Sequence, residues 1–144
     1  MGTHSDAAWR ERRERAAAVH AAAHARDRAR EATRARELVT GFVREAWARG
    51  LRTTPLRATG YDGRATYRTR LRGWYLKRDR SLAAGVDGEL YLLTVPPAFL
   101  ARLTGVTPTP YEPRLVIGQG GRDGESIPLD VLLARRLDAG DDWP

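Results

Sequence analysis

The chain has 144 residues, 25 basic and 18 acidic side chains, a net charge of +7 and no cysteine. That length accommodates one modest core plus one extension, and the absence of thiols excludes disulfides, thiol catalysis and thiolate metal sites. No stretch approaches the roughly 18 apolar residues of a membrane span, and the N-terminus alternates Ala with Arg and Glu where a signal peptide would need an apolar centre, so a cytoplasmic protein without membrane insertion is expected.

From Thr3 to Thr40 there is neither Gly nor Pro, and Ala, Arg and Glu dominate, the residues that lose least on entering a helix. The pattern predicts one helix from about Ser5 to Arg49, with Ser5 as N-cap and Gly50 as the residue that stops it. Its second half carries Ala35, Leu38, Val39, Phe42, Val43, Ala46 and Trp47 at helical spacing, a stripe wide enough to pack on a domain. In the first half only Trp9 and Val19 exceed alanine in size on the apolar side, so that half is expected to project into solvent or onto a protein partner, with a bend permitted at Gly41.

Beyond Gly50 the period changes to two. Thr66 to Leu76 alternates Tyr67, Thr69 and Leu71 against Arg68, Arg70 and Arg72, which predicts a strand, with Gly73 as a place for a bulge. Ser81 to Val86, then Asp87-Gly88, then Glu89 to Val95 predicts a hairpin on a two-residue type I′ turn, completing a three-stranded antiparallel meander. Pro97 to Leu103 is expected to start a short helix closed by Gly105, Val106 to Pro113 to form a stiff loop, and Leu115 to Gly118 a short strand. A final helix over Pro128 to Leu137 has Ser126 as its expected cap and Gly140 as its stop.

The fold class expected is therefore α+β: a long N-terminal helix packed on a small antiparallel sheet with two short C-terminal helices. The helix occupies 1–50, a compact domain 51–140, and an acidic tail at 141–144 is expected to fray. The run Gly73-Trp74-Tyr75-Leu76, the hairpin end Leu92-Leu93-Thr94-Val95-Pro96 and the segment Gly121-Arg122-Asp123-Gly124-Glu125-Ser126 together resemble small uncharacterised proteins of high-GC actinobacteria, over roughly residues 36–140. The resemblance implies no activity, cofactor or site residue.

Charge is unevenly placed. Residues 51–80 hold nine basic and two acidic side chains, against eleven and seven in 1–50 and five and nine in 81–144. Only Lys77 is a lysine, a bias that a GC-rich coding sequence explains, but codon bias exchanges one cation for another and does not create an excess. A basic cluster of this kind is the electrostatic footprint of an acidic partner, with nucleic acid the first candidate.

Within that cluster Arg68, Arg70 and Arg72 would share one strand face, and a regular strand would continue it with Trp74. Guanidiniums leading into an aromatic ring suit phosphate contacts with Trp74 or Tyr75 stacking on bases. The alternative is a solvated sheet face, its arginines covering apolar surface or pairing with helix carboxylates, and Trp74 turned into the core by a bulge at Gly73.

Other motifs carry less. His20 and His24 stand four apart, the spacing for two imidazoles on one metal, but the third histidine, His4, lies about four turns away and no nearby acidic pair clearly faces them, so they are taken as solvated and neither metal nor cofactor is expected. The glycine-rich run 118–124 departs from G-x-G-x-x-G and leaves about 20 residues after it, too few for a βαβ unit. All three histidines fall in the N-terminal helix region, and Asp62, Asp79, Asp87 and Glu89 suit turns or strand ends, so catalysis ranks third. The function expected is a non-enzymatic binding or adaptor protein that meets an acidic partner through 51–80, or alternatively one that docks on a larger assembly through its N-terminal helix.

Overall fold

The computed structural model describes residues 2–98, 100–118 and 126–144. Helix α1 runs unbroken over Gly2–Ala48, about 70 Å at 1.5 Å per residue. Its start at Gly2 places Ser5 inside the helix, and Gly41 lies within a continuous helical segment. Gly50 stops it as expected: with φ +71° it lets the Gly50 and Leu51 amides donate to the carbonyls of Trp47 and Ala46 at 3.1 and 2.9 Å.

Residues 3–30 of α1 are exposed, Ala23 alone being half-buried. Contact with the domain starts at Glu31, whose carboxylate accepts the Leu115 amide at 3.0 Å. From there Ala32, Ala35, Val39, Phe42 and Ala46 are buried. Side-chain size sets the division, since fully burying a Val or Phe contributes about 1.5–3 kcal/mol, which a run of alanines does not match.

Strands β1 (Thr54–Gly60), β2 (Thr66–Tyr75), β3 (Leu82–Gly85), β4 (Leu90–Leu92), β5 (Thr94–Val95) and β6 (Pro110–Tyr111) form one sheet in the order β5-β1-β2-β3-β4-β6. Every pairing is antiparallel except β1 with β5. β4 and β5 are one run of chain interrupted at Leu93, and this run pairs with β3 at its start and β1 at its end, so the sheet curls back on itself. Leu93 marks the crossing: its amide donates to Ser81 at 2.8 Å and its carbonyl accepts from Thr59 at 2.7 Å.

The inner face of the curled sheet buries Leu56, Tyr75, Ala83, Tyr91 and Leu93 in one cluster and Ala58, Ala65 and Tyr67 in another, the latter closed by Ala101 of helix α2 (Ala101–Thr104). On the outer face Trp74, Leu76, Leu82, Ala84 and Leu90 meet α1 and the C-terminal helix α3 (Leu129–Ala139) in the main core. A two-stranded ladder, β7 (Val116–Ile117) with β8 (Ile127–Pro128), leads into α3. The protein is thus α+β, a long N-terminal helix on a mostly antiparallel sheet with two short helices after it.

Several local expectations change. The β3–β4 turn spans Val86, Asp87 and Gly88, with Gly88 donating to the Gly85 carbonyl at 3.0 Å and Gly85 to Glu89 at 2.8 Å. A type I′ turn needs positive φ at both central residues, and here only Gly88 has it, at +85°. Asp87 instead accepts the Glu89 amide and the Tyr91 hydroxyl. Ser126 does not cap α3, which has Pro128 at its N-cap without a side-chain bond, whereas Gly140 stops it as predicted. Strand β1 has no counterpart among the elements predicted from sequence.

Gly73 is not a bulge but a point of close approach. It faces Gly85 across the β2–β3 ladder, and a Cβ at position 73 would lie 2.0 Å from the Ala84 carbonyl oxygen. Because the obstacle is backbone, the strands must part to admit a methyl group. Gly73→Ala is expected to cost about 3 kcal/mol or more by denaturant unfolding; an unchanged midpoint would show that the two strands do not approach this closely.

The tail at 141–144, expected to fray, packs back on the domain. The Asp141 carboxylate accepts the Arg52 amide at 2.8 Å and lies 3.3 Å from the Arg52 guanidinium. Trp143 follows, its ring 4.8 Å below the Arg78 guanidinium and 5.3 Å from that of Arg136. Arg136 is itself buried, donating to the carbonyls of Tyr75 and Gly140, and burial lowers its pKa.

Hydrogen bonding from the Arg52 amide, ahead of the charges of Arg52 and Arg136, holds the Asp141 carboxyl below the usual aspartate range. Its contribution is complete above the ordinary aspartate pKa and is lost as pH falls through the lowered folded value. The Arg52 amide resonance is therefore expected to shift in acid with a midpoint below that of an ordinary aspartate, and to stay fixed in Asp141→Asn. A normal midpoint would mean the tail is not held in this way.

Candidate nucleic-acid interface

The first part of β2 alternates as its sequence predicts, leaving Arg68, Arg70 and Arg72 exposed. Its pairing with β1 is irregular: Pro55 faces Arg72 while Arg57 faces Arg68, so two steps along β1 span four along β2. The excess lies at Thr69–Leu71, where the Thr69 hydroxyl donates to the Leu56 carbonyl at 2.5 Å and accepts the Leu71 amide at 3.1 Å. An excess of two preserves the alternation of faces, so the three arginines stay together on the outer side of the sheet.

Arg57 joins them. It is exposed and stands directly opposite Arg68, a pairing that the reading of β2 alone does not reveal. Like charges placed opposite one another weaken a sheet unless an anion lies between them. Among the described residues no carboxylate lies within 4.0 Å of Arg57, Arg68, Arg70 or Arg72, because the ion pairs run along residues 11–49 or join Arg49 and Arg52 to Asp138 and Asp141. The expected alternative of pairing with helix carboxylates is therefore absent among these residues. Arg72 alone is tethered, its Nε and Nη2 donating to the Thr53 hydroxyl and carbonyl at 3.3 and 3.2 Å.

The aromatic half of the predicted site is placed elsewhere. Trp74 does continue the arginine face, but α1 lies across that end of β2 and leaves the ring 1% exposed. It makes edge contacts with Phe42 and Trp47, at centroid distances of 5.8 and 5.4 Å, and its indole N–H donates to the Leu51 carbonyl at 3.4 Å. Tyr75 points to the inner face, where it is buried and its hydroxyl accepts the Arg57 amide at 2.9 Å. Neither ring is available to stack on a base. Trp74 is in the core, as expected if the arginine face is a solvated one, but a covering helix rather than a bulge at Gly73 buries it.

Beside the arginines, the chain after α2 adds to β2 along the edge that β3 leaves free. The Val106 amide donates to the Arg68 carbonyl at 2.9 Å, and Gly105, at φ +77°, lets the backbone approach. Leu100 and Leu103 in the same segment are 67% and 75% exposed. His20 and His24 are exposed on α1. The glycine-rich run 118–124 lies outside the described residues beyond Gly118.

Against known protein families, curated proteins and solved structures, the chain has no match. Among the described residues no helix is long and apolar enough to cross a membrane.

Proposed function

We propose that this protein binds nucleic acid through the phosphate backbone, with Arg57, Arg68, Arg70 and Arg72 as its contacts. What supports the reading is one face of two strands carrying four exposed guanidiniums with no carboxylate near them among the described residues. Guanidiniums suit this role because their planar fork makes paired charge-assisted hydrogen bonds to phosphate oxygens. With Trp74 and Tyr75 in the core, base stacking no longer belongs to the reading, and contacts confined to phosphates carry little sequence preference.

The test is fluorescence anisotropy at low salt with short labelled duplex DNA, duplex RNA and single strands, using the wild-type chain and a variant with all four arginines changed to serine. Binding by the wild type that the folded variant loses supports the proposal. Equal binding by both, or no binding by the wild type, overturns it. Retention on anionic vesicles without retention of nucleic acid would assign the face to a lipid surface, with Leu100 and Leu103 as its apolar contacts, and would equally overturn it.

The exposed half of α1 favours a second reading as a protein-docking arm. Removing residues 2–30 is expected to change domain stability by less than about 0.5 kcal/mol, because the side chains of 3–30 are exposed apart from the half-buried Ala23. The adaptor reading then requires that the shortened chain lose a protein partner while its nucleic-acid affinity stays unchanged.

A further inference from the structure

At the other end of β2, an open cleft of about 1060 Å³ separates the β2–β3 connection from α3. Its floor is apolar, made by Leu76, Ile127 and Leu132, and Trp143 of the returning tail forms part of the lining. Lys77, Arg78 and Arg135 stand on its rim. Among the described residues none of these three cations has a carboxylate within 4.0 Å, although two carboxylates belong to the same cleft. Asp79 accepts the Ser81 amide and hydroxyl at 3.0 and 2.6 Å, while Asp138 is exposed and lies 3.9 Å from Arg49.

We infer that this cleft binds a small amphipathic anion, one acidic head group on an aromatic or aliphatic body. The apolar floor takes the body, and Lys77, Arg78 and Arg135 take the head group. The size suits such a ligand, since small-molecule sites are mostly apolar clefts of several hundred to about 1,000 Å³ with a few polar groups that fix orientation. Charge selects the sign, because three cations line the apolar floor against two carboxylates, of which Asp79 is already held by Ser81 and by the charge of Lys77. Arg78 remains a donor while it covers Trp143, as a guanidinium stacked on a ring keeps its N–H groups in plane. The tail belongs to the site through Trp143, whose indole N–H is buried without a hydrogen-bond partner among the described residues.

The probe is 8-anilino-1-naphthalenesulfonate, with N-phenyl-1-naphthylamine, the same ring system without the sulfonate, as its neutral counterpart. The full chain is expected to bind the sulfonate saturably and at least about tenfold more tightly than the neutral compound, the value of a charged hydrogen bond. Lys77→Ser with Arg135→Ser, which leaves Arg78 as the one remaining cation of the three, should cut that preference severalfold while leaving the neutral compound's affinity unchanged. In the wild type the Trp143 indole N–H resonance should shift on binding, while that of Trp9 stays fixed. The four-arginine serine variant of the sheet face should bind the sulfonate as the wild type does, which separates this site from the proposed nucleic-acid face. Absent saturable binding, equal affinity for the two probes, or a preference undiminished in Lys77→Ser/Arg135→Ser would overturn the inference.

Discussion

Raising salt from about 50 to 200 mM is expected to weaken binding to duplex nucleic acid by roughly 150-fold, from four phosphates each contributing about 0.9 to the logarithmic slope. On single strands the same four contacts give a slope nearer 0.7 each and a loss of roughly 50-fold, so the slope also reports which form is bound. Changing Arg57, Arg68 or Arg70 singly to serine should lower the duplex slope by about 0.9 each. Arg72→Ser should lower it by the same amount, because the Thr53 hydroxyl and carbonyl that hold its guanidinium leave its charge in place. Arg→Lys at the same positions keeps the charge and hence the slope, but loses affinity where the fork made two bonds. A slope near zero in the wild type would show that the arginines do not neutralise phosphates, whatever the chain binds.

Trp74→Ala is expected to lose about 3–5 kcal/mol of folding stability, the usual cost of emptying a large aromatic site in a core. That is a major part of the 5–15 kcal/mol, roughly, that holds a domain together. The ring fills the space between Phe42, Trp47 and the Leu51 carbonyl, so its removal empties the contact between α1 and the sheet. Trp74→Phe should cost less, since it keeps an aromatic body there and forfeits mainly the indole bond. Denaturant unfolding measures the loss, and nucleic-acid affinity per folded molecule should stay at the wild-type value. A Trp74→Ala protein of unchanged stability and lost binding would return the ring to the interface and refute the placement of α1.

Local signals carried much of the fold. A long run without Gly or Pro is helical because nothing in it opposes helix, and Gly50 stops it because only glycine adopts the required φ without strain. Strand β2 was legible from its alternation, and β3 with β4 from apolar runs on either side of Asp87-Gly88. β1 was less so: Thr54–Gly60 contains Pro55, Ala58 and Gly60 and has no run of branched residues, so its strand state depends on β2 and β5 beside it. Arg57 was missed for the same reason, since a cross-strand neighbour has no signature in the strand that it faces.

The sequence by itself determined the helix and its stop, the alternation that puts Arg68, Arg70 and Arg72 on one face, and the basic excess of 51–80, because each depends on residues within a few positions or on charge alone. Only the tertiary structure decided which part of that face is open. Periodicity places Trp74 beside the arginines, but whether a helix lies over it depends on where the apolar stripe of α1 finds its partner, some 30 residues away in sequence. The docking of the tail is of the same kind. An acidic terminus frays unless a cation and an apolar cleft wait for it, and Arg52, Arg78 and Arg136 come together around Asp141 and Trp143 only when the sheet and α3 have packed.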